Sequence, residues 1–252
     1  MSNTPSSPAA PPLRITVVGL WHLGTVTAAC CARFFEITGL DFDAPTVAQL
    51  NRGEAPLAEP GLDSLLQAGL SRGTLRFTDD PKSACAGADI LWLTCDTPVN
   101  ERDESDVASV LEQLRRCLPH LAEGTLVLIS SQLPVGTCRR LEAEFGQFHF
   151  ACSPENLRLG AALEAFEKAE RVVVGIRTEA MQAMLERLFA PFTPRVQFMR
   201  TESAEMLKHA LNSFLAASIT FINEIARLCE HVGADAREVS DRKSTRLNSS
   251  HG

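Results

Sequence analysis

The sequence predicts an α/β protein, a doubly wound parallel sheet followed by one long helix. Three observations carry the prediction. Apolar, β-branched runs alternate with helical stretches from Leu13 to Met199. A glycine-bounded turn, Gly19-Leu20-Trp21-His22-Leu23-Gly24, separates the first run from the first helix. From Glu202 to Val232 the pattern becomes a single helical run in which Leu207, Leu211, Phe214, Leu215, Ile219, Ile222 and Leu228 recur near helical spacing.

The elements follow in order. Leu13 to Val18 reads as a buried strand, His22 to Phe34 as a helix of small residues, and Phe35 to Leu40 as the second strand, ending at Asp41-Phe42-Asp43. Val47 to Asn51 and Gly61 to Ala68 are helical, and Arg72-Gly73 is a turn into the strand Leu75 to Thr78. A brief helix at Lys82 to Cys85 leads to the strand Ile90 to Thr94. Helix and strand then alternate through Val107 to Cys117, Thr125 to Ser130, Thr137 to Phe145 and Phe148 to Cys152. The strand Arg171 to Ile176, the helix Glu179 to Phe189 and the strand Val196 to Met199 complete the sheet.

Composition sets the class. The chain has 252 residues, 45% hydrophobic and 22% charged, as in a globular protein with a substantial core. Its net charge of −7 argues against a nucleic-acid partner. No apolar run reaches the roughly 20 residues that span a bilayer, and Met1 to Pro12 is Ser/Pro/Ala-rich without the basic start of a secretion signal. The expectation is a disordered tail over 1–12 on a cytoplasmic protein with no membrane partner. Eight scattered cysteines form no C-x-x-C pair and read as reduced, buried thiols, with no metal site.

The turn is where chemistry begins. Gly19 and Gly24 occupy the outer positions of G-x-G-x-x-G, after a strand and at the start of a helix, as in a Rossmann dinucleotide site. The helix start offers free amides to a pyrophosphate. Trp21 stands where the middle glycine is usual, so its indole must swing aside or the cofactor must shift. His22 either touches phosphate or simply starts the helix, and Leu23 completes the turn. Asp41 ends the second strand, where its carboxylate can accept from ribose hydroxyls. No arginine follows to receive a 2′-phosphate, which favours NAD over NADP.

Several separated blocks then carry a family resemblance. Glu59-Pro60-Gly61-Leu62, Thr97-Pro98, Pro134-Val135-Gly136-Thr137, Ser153-Pro154-Glu155-Asn156-Leu157-Arg158, Ala204-Glu205-Met206-Leu207-Lys208, Asn212-Ser213-Phe214-Leu215-Ala216 and Phe221-Ile222-Asn223-Glu224 resemble motifs of the UDP-glucose/GDP-mannose dehydrogenase family. The resemblance covers Leu13 to about Val239. It implies NAD-dependent oxidation of a nucleotide sugar at C6, through a cysteine thioester that water hydrolyses, with two NAD reduced per sugar. It implies that Lys208 and Asn212, at i and i+4 on one helix face, stabilise the oxyanion and position the sugar. Glu155 would transfer a proton or activate water, in a substrate segment with Asn156, Leu157 and Arg158. Thr97 and Gln132 would line the nicotinamide side. UDP-glucose is the expected sugar; a UDP-N-acetylhexosamine, GDP-mannose, or a non-catalytic NAD-binding module are the alternatives. The central helix would pair two subunits in the full-length protein.

The chain departs from the family pattern at Trp21, at Gln132 in place of threonine, at Leu159 in place of a second glutamate, and at Thr46 in place of lysine. The family's cysteine lies in a glycine-rich segment beyond the central helix, within a C-terminal domain. No such segment occurs in the sequence, so the expectation is a fragment that binds NAD without turnover. Asp241 to His251 is polar, basic and aperiodic, and resembles the translation of a common sequencing-adapter oligonucleotide. The expected organisation is therefore a tail at 1–12, a Rossmann domain at 13–201, a linker and dimerisation helix at 202–240, and a non-native end at 241–252.

Overall fold

The computed structural model describes residues 11–99, 102, 105–155 and 157–240. The N-terminal tail and the adapter-like end lie largely or wholly outside them. Among the described residues eight strands form one sheet in the order β3-β2-β1-β4-β5-β6-β7-β8. They are β1 (Arg14–Val18), β2 (Glu36–Leu40), β3 (Leu75–Thr78), β4 (Ile90–Leu93), β5 (Leu126–Ile129), β6 (His149–Cys152), β7 (Val172–Gly175) and β8 (Val196–Met199). β1 sits between β2 and β4, with Thr16 opposite Thr38 on one side and Leu91 on the other. The chain order reverses beside β1, which opens a crevice at the carboxyl ends of β1 and β4, the place such sheets bind ligands.

Side chains alternate across the sheet and build two cores. Ile15, Val17, Ile37, Ile90, Trp92, Leu126 and Leu128 face one layer, which contains α1 (His22–Cys31), α3 (Leu62–Arg72), α7 (Ala162–Glu167) and α8 (Gln182–Phe189). Val18, Leu40, Leu91, Leu93, Val127 and Ile129 face the other, with α4 (Pro81–Cys85), α5 (Val107–Cys117) and α6 (Thr137–Glu144). A short α2 (Ala44–Asn51) follows the crevice and is capped by Asp43, whose side chain accepts from the Thr46 amide. Trp92 is buried; its ring meets Phe189 edge-on at 5.6 Å, and Nε1 donates to Ser130 Oγ at 2.9 Å.

Two features differ from the sequence expectation. The sheet is not parallel throughout: β7 runs antiparallel to β6, with Cys152 opposite Gly175, and β8 follows β7 in parallel. The helix between β6 and β7 is α7, absent from the sequence reading, and at six residues it is about 9 Å long. That is too short to carry the chain back along the sheet, so β7 enters from the carboxyl-end side.

The last helix, α9 (Thr201–Val232), begins against the sheet. Gly175 makes the approach possible, since a Cβ there would lie 2.6 Å from the Ala204 Cβ and 2.8 Å from the Thr201 Cα. The chain divides into two compact units between Met206 and Leu207, within α9. In the second unit the helix exposes Phe214, Leu215, Ile219, Ile222 and Leu228. Among the described residues no helix is long and apolar enough to cross a membrane.

Candidate dinucleotide and substrate site

The glycine turn is held from three directions. Gly19 takes φ +88° and donates its amide to Leu40 O at 3.0 Å. The Leu20 amide donates to Asp41 Oδ2 at 2.7 Å, so the acid at the end of β2 fixes the turn that follows β1. Thr94, at the end of β4, places its hydroxyl 2.9 Å from both Val18 O and Gly19 O. The two glycines have distinct reasons. Gly19 needs the left-handed backbone, whereas at Gly24 a Cβ would lie 1.8 Å from Gly19 O and 2.7 Å from Thr94 Oγ1.

At Trp21 the φ of −79° does not demand glycine, and the side chain is 50% exposed. The first intrahelical bond runs from the Thr25 amide to Trp21 O at 3.0 Å. The amides of His22, Leu23 and Gly24 precede it and face out of the helix end, where an anionic group is favoured. Asp41 Oδ1 accepts from the Asp43 amide at 3.0 Å, and both carboxylate oxygens keep lone pairs for a ribose. Phe42 lies between the two acids, with the Arg116 guanidinium 3.5 Å from its ring centroid. Sequence proximity could not reveal this cation, which comes from α5.

His22 does not stand as a bare helix starter. Its Nε2 lies 3.3 Å from Glu59 Oε2. The same oxygen accepts from the Gly160 amide at 2.7 Å, and Oε1 accepts from the Ala162 amide at 2.9 Å. Burial pushes the Glu59 carboxyl up, but the two amides and the His22 ring outweigh it and hold the group below the usual carboxylate range.

The loops expected to line the nicotinamide side are joined as well. The Thr97 hydroxyl donates to Gln132 O at 2.7 Å, so Gln132 acts through its backbone while its side chain is exposed. Beyond it, Gly136 takes φ +89° at the start of α6. Its amide and that of Cys138 donate to Glu205 Oε2 and Oε1, at 2.5 and 2.9 Å. Glu205 is 6% exposed and comes from the first turns of α9. Glu59 and Glu205 thus do the same job, each spending both oxygens on the backbone of a motif-bearing loop. The sequence reading named both as motif letters without giving either a role.

Glu155 sits half-buried in the loop after β6, at the carboxyl edge of the sheet. Asn156 lies outside the described residues. Leu157 packs against the hydrophobic core, while Arg158 is exposed. Leu159, where the family pattern has a second glutamate, is exposed. Lys208 is half-buried and Asn212 exposed on the second unit's stretch of α9, one helical turn apart. All eight cysteines are unpaired and buried. Burial pushes Cys30, Cys95 and Cys152 up to about 12, the state of inert thiols. Among the described residues no cluster of His, Cys, Asp or Glu could hold a metal ion.

These residues fit a dinucleotide. The turn brings backbone close where a side chain at Gly24 would block it, a helix start aims amides outward, and a carboxylate stands at the end of β2.

Comparison with known proteins gives the same outline. The model of the UDP-glucose/GDP-mannose dehydrogenase family NAD-binding domain matches residues 13–193, and that of the family's central domain matches 202–250. The chain is 35% identical over 242 residues to a UDP-glucose 6-dehydrogenase of Rhizobium meliloti, covering 90% of this chain and 55% of that enzyme. A UDP-glucose dehydrogenase from Pyrobaculum islandicum superposes with a TM-score of 0.86 at 29% identity, covering 94% of this chain and 57% of that one. A GDP-mannose dehydrogenase from Pseudomonas aeruginosa superposes with a TM-score of 0.82 at 29% identity, over 91% and 56%. The chain spans about half the length of these relatives.

Proposed function

We propose a function on one premise: the chain belongs to the UDP-glucose/GDP-mannose dehydrogenase family. On that footing it is the cofactor-binding part of an NAD-dependent nucleotide-sugar dehydrogenase that oxidises UDP-glucose at C6 to UDP-glucuronate. The observation that carries the reading is the crevice at the carboxyl ends of β1 and β4. There the glycine turn, Asp41, the Thr97–Gln132 bridge and the loop of Glu155 gather on one edge of the sheet.

Bound NAD supplies the hydride acceptor. The protein's own groups do the rest. The amides of His22, Leu23 and Gly24 face the diphosphate, and Asp41 accepts from the adenosine ribose. The bridge between Thr97 and Gln132 closes the wall on the nicotinamide side. Glu155 handles a proton or the hydrolytic water, and Asn156, Leu157 and Arg158 contribute to the sugar site, Leu157 through its backbone because its side chain packs in the core. Lys208 and Asn212 stabilise oxyanion charge and orient the sugar. The exposed apolar face of α9 pairs two subunits of the whole enzyme. The protein works in the cytoplasm, where nucleotide sugars are available.

Calorimetry of NAD into the chain tests the cofactor half. NADH formation at 340 nm tests the sugar, with UDP-glucose, GDP-mannose and UDP-N-acetylmannosamine supplied separately to the chain extended to its relatives' length. UDP-glucose turnover with two NADH per sugar supports the reading. Preference for another sugar moves the substrate within the family, and NAD binding without any turnover would make the protein a cofactor-binding module.

A further inference from the structure

We propose that Glu59 is a positioning residue that latches the loop following Glu155 onto the first turn of α1, so that occupancy of the dinucleotide turn and order in that loop are coupled. The coupling rests on the cofactor reading above; the latch itself does not.

The case begins with a buried carboxylate on a loop. Glu59 is 8% exposed, and its partners are two backbone amides and one imidazole. A buried carboxylate is costly unless its lone pairs are satisfied, so the groups that satisfy it are fixed in return. The amides it holds, Gly160 and Ala162, lie about a hundred positions away in sequence. Gly160 lies in the stretch between the candidate acid Glu155 and helix α7, and Ala162 is the first residue of α7.

Other anchors on that stretch are few. Gly160 turns the chain at φ +85°, and Leu159 is 61% exposed. The Ala161 amide closes a local turn on Arg158 O at 3.1 Å. Leu157 secures the loop's near end in the core. Glu59 adds long-range bonds to Gly160 and to the first residue of α7.

The other side of the latch is the cofactor turn. His22 is the first residue of α1, its amide precedes the first intrahelical bond, and its ring rests on Glu59 Oε2. A phosphate drawn to those amides acts on the residue that touches the latch. Helix α7 is fastened to α1 at the far end too, where Arg33 Nη1 meets Glu167 Oε1 at 2.5 Å. The two helices are therefore tied at both ends, and the loop between Glu155 and α7 follows α1.

Hydrogen–deuterium exchange on the whole chain, with and without NAD, tests this for wild type and Glu59→Gln, with NAD affinity measured for both by calorimetry. Without NAD, Glu59→Gln is expected to speed exchange across 158–163 about tenfold, with β1, β4 and β5 unchanged. With NAD, the wild type is expected to slow exchange at both 19–25 and 158–163. Glu59→Gln is expected to bind NAD and protect 19–25 only, which a purely structural role for Glu59 would not produce. Equal exchange at 158–163 in the apo wild type and Glu59→Gln overturns the latch. Equal NAD-dependent protection of 158–163 in both proteins overturns the coupling. If Glu59→Gln does not fold, Glu59→Asp, which keeps the charge but shortens the reach, takes its place with the same expected outcomes. An absence of NAD binding by the wild type refutes the cofactor reading and the coupling together, while the apo comparison still decides the latch.

Discussion

Replacing Glu205 by glutamine puts a number on how the loop after β5 is held. Glu205 Oε2 and Oε1 accept from the Gly136 and Cys138 amides at 2.5 and 2.9 Å, and the residue is 6% exposed. Glutamine keeps the shape and one acceptor but turns an NH2 group toward the second amide. One charge-assisted bond is weakened, and a buried amide loses its acceptor at a cost of about 1–3 kcal/mol. The loss of negative charge at the start of α6 adds roughly 0.3–1 kcal/mol. The sum is about 1–4 kcal/mol, a fall in Tm of roughly 3–16 °C for a protein of this size. Urea unfolding followed by circular dichroism at pH 7 measures it. Glu202→Gln is the control: Glu202 pairs with Arg177 at 2.8 Å across a partly exposed surface, and its loss is expected to cost under about 1 kcal/mol. If Glu205→Gln fell within about 0.5 kcal/mol of wild type, or matched Glu202→Gln, the bonds to Glu205 would not be what holds the loop.

Further outcomes follow from the same geometry. Gly24→Ala drives a methyl into Gly19 O and Thr94 Oγ1 and is expected to destabilise the chain by about 1–3 kcal/mol or more and to abolish NAD binding; a variant that binds NAD normally contradicts the account of the turn. The Glu59 carboxyl is held low in the folded protein, so its contribution to stability is present above its ordinary value of 4.5 and fades as pH falls through the folded value. Unfolding free energy measured from pH 6 to pH 3 should therefore drop less steeply in Glu59→Gln than in wild type. In the extended enzyme, Lys208→Ala is expected to lower kcat/KM about 100-fold or more, and a change within threefold of wild type would remove Lys208 from the oxyanion role. Native chain treated with iodoacetamide at pH 8 should leave Cys30, Cys95 and Cys152 unmodified by mass spectrometry, because burial holds these thiols protonated.

What was legible in the sequence was local. The β1–α1–β2 unit and Asp41 followed from a β-branched apolar run, a glycine turn and an acid at a strand end, signals that lie within some thirty residues. Helix α7 carried no comparable signal: it is six residues long, and no side chain caps its start. The direction of β7 was invisible for a related reason, since apolar alternation marks a strand without saying which way it runs. Arg116 reached the Phe42 ring from α5, where a search along the neighbouring sequence could not find it. Glu59 and Glu205 show the same boundary. Their letters stood in recognisable motifs, but their partners are backbone amides 101 and 69 positions away, and an amide has no sequence identity. Trp21 went the other way. The letter stands where glycine is usual, and the backbone angle at that residue shows that the turn does not demand glycine there.

The most direct test of the central claim is a calorimetric titration of this chain with NAD and with NADP, repeated on Asp41→Ala. The account predicts one NAD site per chain, NADP binding at least tenfold weaker because Asp41 and Asp43 repel a 2′-phosphate, and loss of that discrimination in Asp41→Ala. No NAD binding, or equal affinity for the two cofactors in the wild type, would contradict it.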